Sequence, residues 1–112
     1  MKYIWLIDCE SCFGEYGHRV VGSDLESTMK TWWNTWVEKA TELELLFVIS
    51  GELDSFESLE EYYGVSICKL ELGKSYYSEG GDDSEWTKSE LETKDRLVKE
   101  LTIEKQTERI EH

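Results

Sequence analysis

The chain has 112 residues, with 25 acidic and 12 basic side chains and a formal net charge of -13. That length suits one domain. No basic run occurs anywhere, so a direct grip on nucleic acid or on an anionic membrane is not expected. The longest apolar runs, at 3–7 and 45–49, fall far short of the roughly 18–20 residues of a membrane span. Asp8 also interrupts the first run too early for a signal-peptide core, so the expected location is cytoplasmic.

Residues 3–7 (Tyr-Ile-Trp-Leu-Ile) read as a first strand without polar alternation. Residues 45–49 (Leu-Leu-Phe-Val-Ile) read the same way. Such strands suit a sheet covered on both faces. Between them, Leu25, Met29, Trp32, Trp33, Trp36, Val37 and Ala40 recur at helical spacing and form one apolar stripe. Ser23 and Glu26 form a capping-box pattern at its start. Trp32 and Trp33 point about 100° apart, so one of them is expected to be partly exposed.

A second, shorter helix is expected after Asp54, capped by Asp54 with Glu57. Phe56, Leu59 and Tyr63 share one face, and Gly64 fits the position just past the end. Val65 to Leu72 reads as a third strand, with Cys68, Leu70 and Leu72 alternating against Lys69 and Glu71. Residues 73–85 are a Gly/Ser-rich acidic loop by composition. Thr87 and Glu90 then form another capping box, opening a helix to about residue 110. Glu90–Lys94, Glu92–Arg96 and Asp95–Lys99 are helix-supporting pairs at i,i+4. The first part of this helix is expected to dock on the sheet. Its end is expected either to project into solvent or to pair with a second copy as a homodimer contact.

The expected architecture is therefore α/β: a small, mostly parallel sheet of three to four strands flanked by helices, plus a C-terminal helix. The α/β core spans 1–72, the acidic loop 73–85 and the amphipathic helix 86–112, in one domain overall.

Cys9-Glu10-Ser11-Cys12 is a C-x-x-C directly after the first strand. Thioredoxin-type redox sites set a cis-proline against such a pair, and this chain has no proline. A zinc site recruiting Cys68 and His18 would have irregular spacing. The simplest expectation for three cysteines in a cytoplasmic chain is free thiols.

Carboxylates cluster where the expected strands end. Asp8 and Glu10 follow the first strand, and Glu52 and Asp54 follow the second. At the carboxyl ends of parallel strands such a group would repel itself unless Mg²⁺ or Mn²⁺ bound it. Phe47 to Phe56, with its Ser50-Gly51-Glu52-Leu53-Asp54 core and its continuation to Gly64-Val65, resembles the strand–Ser-Gly-acid-x-acid–helix segment of PIN/NYN-type nuclease domains. Tyr3 to Ser11 is similar to their first strand, and Gly22-Ser23-Asp24 to their Gly-x-Asp step. The resemblance covers about half the chain and implies an acidic metal site of Asp8, Asp24, Glu52 and Asp54. Asp8-Cys9-Glu10 also resembles the first Asp-x-Glu motif of proofreading-type exonucleases.

The charge favours a different reading. Glu52, Asp54, Glu57, Glu60 and Glu61 fall in ten residues with no base between them, and Glu79, Asp82, Asp83 and Glu85 form a second cluster. Tyr62, Tyr63, Tyr76 and Tyr77 lie among these acids as candidate apolar anchors. In size, charge and aromatic content the chain is similar to small phage anti-defence proteins, nucleic-acid mimics and toxin-immunity proteins. This implies a non-enzymatic inhibitor that needs no cofactor and occupies the basic surface of a nucleic-acid-binding enzyme. The alternative is a minimal Mg²⁺- or Mn²⁺-dependent nuclease built on the strand-end acids.

Overall fold

The computed structural model describes residues 2–14, 16–42, 51–73 and 85–103. The expected strand at 45–49, most of the acidic loop and residues 104–112 lie outside the described residues, and the helix expected to run to about residue 110 instead stops at Glu100, where Leu101 turns extended. The elements run β1 (Tyr3–Cys9), β2 (His18–Gly22), α1 (Leu25–Glu42), α2 (Phe56–Tyr63), β3 (Ser66–Glu71) and α3 (Lys88–Glu100).

The described strands form one sheet in the order β2-β1-β3. Both pairings are antiparallel: Leu6 faces Val21 on one side and Cys68 on the other. This corrects the expectation of a mostly parallel sheet. Only residues 10–17 separate β1 from β2. A parallel partner would need a crossover of about a dozen residues or more, whereas a turn this short can only reverse the chain. Runs of apolar residues mark a buried strand but carry no information about its direction.

β2 is an element the sequence reading missed. Its side chains alternate between half-buried and exposed, with Val20 inward and Arg19 and Val21 outward. The adjacent β-branched pair was the available signal. Gly17 lets the turn close against β1: its φ is +71°, and a Cβ there would meet the Cys9 carbonyl oxygen at 3.2 Å.

Helix α1 buries the whole expected stripe, Leu25 through Ala40. Trp32 and Trp33 are both buried, at 0% and 2% exposure, so neither is the partly exposed ring that was expected. Their 100° separation is accommodated because α1 has cover on two sides. It packs on β1 and β2 and also against α3. Phe56 meets the edge of Trp32 at a ring separation of 5.3 Å, and Trp33 stacks on Trp36 at 5.6 Å.

The caps differ from expectation at two helices. At α1 the Asp24 carboxylate accepts from the Ser27 amide (2.9 Å) and hydroxyl (2.7 Å), so Asp24 and not Ser23 satisfies the first turn. At α2 the N-cap is Ser55, in a reciprocal box with Ser58, and not Asp54 with Glu57. A hydroxyl at the N3 position can return the bond as a longer carboxylate would. Gly64 ends α2 at φ 77°, as its sequence position predicts, and Thr87 with Glu90 caps α3 as expected.

Helix α3 docks along α1 and α2 through buried Leu97 and Val98. Its exit is sewn to the entry of α2. The Phe56 amide donates to the Leu101 carbonyl (2.9 Å), and the Ile103 amide donates to the Asp54 carbonyl (2.7 Å). Its ion pairs are tertiary as well as local. Lys94 reaches Glu60 at 3.9 Å, and Arg96 bridges Glu26 on α1 and Glu100 on its own helix. No helix among the described residues is long and apolar enough to cross a membrane.

Candidate functional site

Among the described residues, the turn and helix from Glu52 to Tyr63 present a run of exposed acids. Leu53 (3% exposed), Phe56 and Leu59 bury one side of this segment in the core. Helical spacing then leaves Glu57, Glu61 and Tyr62 facing outward, while Glu52 and Asp54 stand exposed on the preceding turn. Glu52, Leu53, Ser58, Glu61 and Tyr62 line an open depression of about 520 Å³. Two carboxylates, one hydroxyl and an aromatic ring thus surround a space large enough for a long side chain of another protein.

Tyr62 is 58% exposed and meets Tyr63 edge-on at 4.8 Å. Tyr63 leans onto the core, and burial followed by its tyrosine neighbour pushes its phenol above the ordinary value. Glu60 is turned partly inward. Burial raises its carboxyl above the usual range, Lys94 opposes that, and Glu57, Asp95 and Glu61 add to it. Glu60 therefore lies within reach of the charges of Glu57 and Glu61 on the same helix.

The other expected partner-binding residues lie elsewhere. Glu85 is exposed beyond β3, where its carbonyl accepts from Lys69 Nζ at 3.2 Å. Tyr76, Tyr77, Glu79, Asp82 and Asp83 fall outside the described residues.

The carboxylates of the expected metal site have separate surroundings. Asp8 Oδ1 lies 3.0 Å from Arg19 Nε across the β1–β2 pair, close enough for charge attraction but without a directed hydrogen bond. Asp24 is committed to the α1 cap, and the Ser27 hydroxyl and amide hold its carboxyl below the ordinary range. Glu10 is exposed on the turn, and Glu52 borders the depression beside α2. Among the described residues, no three His, Cys, Asp or Glu side chains form a group able to hold a metal ion. The strand expected to lead into Glu52 lies outside the described residues, and neither described neighbour of β1 runs parallel to it.

The cysteines also depart from expectation. Cys9 and Cys12 are joined as a disulfide, and both are fully buried, so they are not free thiols. A spacing of three residues in a reversing turn brings the two Cα atoms to 5.5 Å, within the usual reach of such a bond.

Lys69 is the polar residue that sequence alternation misplaced. It is 5% exposed and points to the helix-covered side of the sheet with Trp5. Its ammonium donates to Glu90 Oε1 at 2.8 Å and sits 4.4 Å from the centre of the Tyr3 ring. Comparison with protein-family models, with curated proteins and with solved structures finds no match for this chain.

Proposed function

We propose that this chain is a non-enzymatic acidic binding protein that occupies the basic nucleic-acid site of a partner enzyme, in the manner of a phage anti-defence or immunity-type inhibitor. The observation that carries this reading is the exposed set Glu52, Asp54, Glu57 and Glu61, of which Glu52 and Glu61 border a depression together with Tyr62. Spaced carboxylates stand in for phosphates, and a channel built to hold a polyanion attracts them over several ångströms at low salt. The charge supplies steering and orientation. A partly exposed aromatic supplies the contact that, once desolvated, gives affinity. The net charge of -13 acts in the same direction from every angle of approach.

The test is competition. Purified protein is added to a panel of DNA- and RNA-acting enzymes whose substrate binding is followed by fluorescence anisotropy. Displacement of nucleic acid from one of them is expected, weakening steeply with salt. The triple variant Glu52→Gln/Glu57→Gln/Glu61→Gln is expected to lose at least about tenfold in affinity for that enzyme. Displacement that ignores salt and the triple substitution, or no displacement across the panel, overturns the reading.

A further inference from the structure

We propose that the Cys9–Cys12 disulfide is a redox latch that keeps the β1–β2 turn closed over the aromatic core, and that a small-molecule thiol opens it. Cys9 is the last residue of β1 and Cys12 lies within the turn, so the bond ties the turn back to the central strand. The residue after Cys12 is Phe13, which holds a left-handed backbone at φ 58°. Gly14 and Gly17, at φ 67° and 71°, take such angles freely, whereas Phe13 does so only under constraint. The disulfide constrains its backbone from one side. From the other, its ring packs 6.4 Å from Trp36 and 5.9 Å from His18. Opening the bond removes the covalent half of that constraint. Phe13 is then free to return to an ordinary conformation and carry its ring off Trp36.

The reaction is thiol–disulfide exchange with a monothiol such as glutathione. The thiolate attacks one cysteine sulfur, breaks the S–S bond and forms a mixed disulfide. A second thiolate releases the reduced protein. Two electrons pass from the two small thiols, which leave as their own disulfide, and two protons end on Cys9 and Cys12. Both sulfurs are fully buried, so attack requires the turn to open first. Glu10, Ser11, Gly14 and Tyr16 are exposed, so the turn can open without unpacking their side chains. This burial also separates the pair from a dithiol enzyme, which needs one accessible sulfur.

The full chain is equilibrated across a series of reduced-to-oxidised glutathione ratios, alkylated and weighed, and amide hydrogen exchange is followed in both end states. Half-reduction is expected within the series and should reverse on reoxidation. Exchange over residues 10–18 should rise by about tenfold or more on reduction while β3 and α1 keep their protection. Cys12→Ala, without added thiol, should exchange at the reduced rate over the same residues. A bond that stays oxidised throughout the series overturns the proposal. So does a reduced protein that exchanges at the oxidised rate. Faster exchange along the entire chain also overturns it, because the bond is then a staple for the whole fold.

Discussion

Lys69 Nζ lies 2.8 Å from Glu90 Oε1, and this ion pair ties β3 to the first turn of α3. The lysine side chain is almost wholly buried and that of Glu90 is 25% exposed, so water reaches the pair mainly from the carboxylate side. Glu90 serves twice, because the same oxygen accepts from the Thr87 amide at 2.8 Å. Glu90→Gln leaves a buried ammonium without its counter-charge, and a loss of roughly 3 kcal/mol is expected in urea denaturation. Lys69→Met keeps the stem packed on Tyr3 and Trp5 and leaves a carboxylate that water can reach. It is expected to cost less than half as much.

The pair also has a pH signature. Burial pushes the Glu90 carboxyl up, but its hydrogen bonds to Lys69 and Thr87 outweigh this and leave it below the ordinary value. A carboxylate lowered on folding stabilises the fold above its unfolded pKa of about 4.3, and that contribution is lost as pH falls through the folded value. Urea midpoints measured from neutral to acidic pH should fall in that range, and Glu90→Gln should flatten the fall.

His18 acts in the same sense at higher pH. Its Nε2–H donates to the Trp32 carbonyl at 2.9 Å, and Trp32 Nε1–H returns a bond to the His18 carbonyl at 3.2 Å. Burial lowers the imidazole pKa, with the bond to Trp32 opposing. Protonation therefore costs the folded state, and stability is expected to drop as pH falls below the ordinary histidine value of about 6.5. NMR titration of the His18 ring should place its midpoint below that value. A midpoint above it would contradict the burial argument.

Two glycines should respond to alanine for different reasons. At Gly64 the penalty is conformational, since φ is 77° and open space surrounds the new methyl group, and about 1 kcal/mol is expected. At Gly22 a Cβ would collide with Thr28 Oγ1. That hydroxyl is held by the Asp24 carbonyl, so it cannot turn aside without losing its bond. Gly22→Ala should therefore lower the melting temperature more than Gly64→Ala.

Phe56 joins the aromatic core to the α2–α3 seam. Its ring is fully buried against Trp32, and its amide is bonded to Leu101. Phe56→Ala should cost about 3–5 kcal/mol, close to the whole stability of a small domain. A native-like melting temperature in that variant would show that the core can close over the lost ring.

The face proposed to bind a partner was legible before the fold. Glu57 and Glu61 are four apart on a helix whose Phe56 and Leu59 must turn inward, so their outward placement follows from periodicity. The expected metal site was not legible in this way. It required Asp8 to share a crevice with the acids around Glu52, which depends on strand direction, and an apolar run carries no information about direction.

The sequence by itself determined the helical stripe of α1, the stop at Gly64, the Thr87–Glu90 cap and the excess of acid. Each of these depends on residues within about a turn of one another, where spacing and side-chain chemistry decide the outcome. Only the tertiary structure decided that β1 pairs antiparallel on both sides, that Cys9 bonds to Cys12, and that Lys69 faces inward. The direction of β2 was set by how far the β1–β2 turn could reach. Lys69 could turn inward because Glu90, 21 residues away in sequence, was there to neutralise it. Such matches between distant residues exist only once the chain has closed on itself.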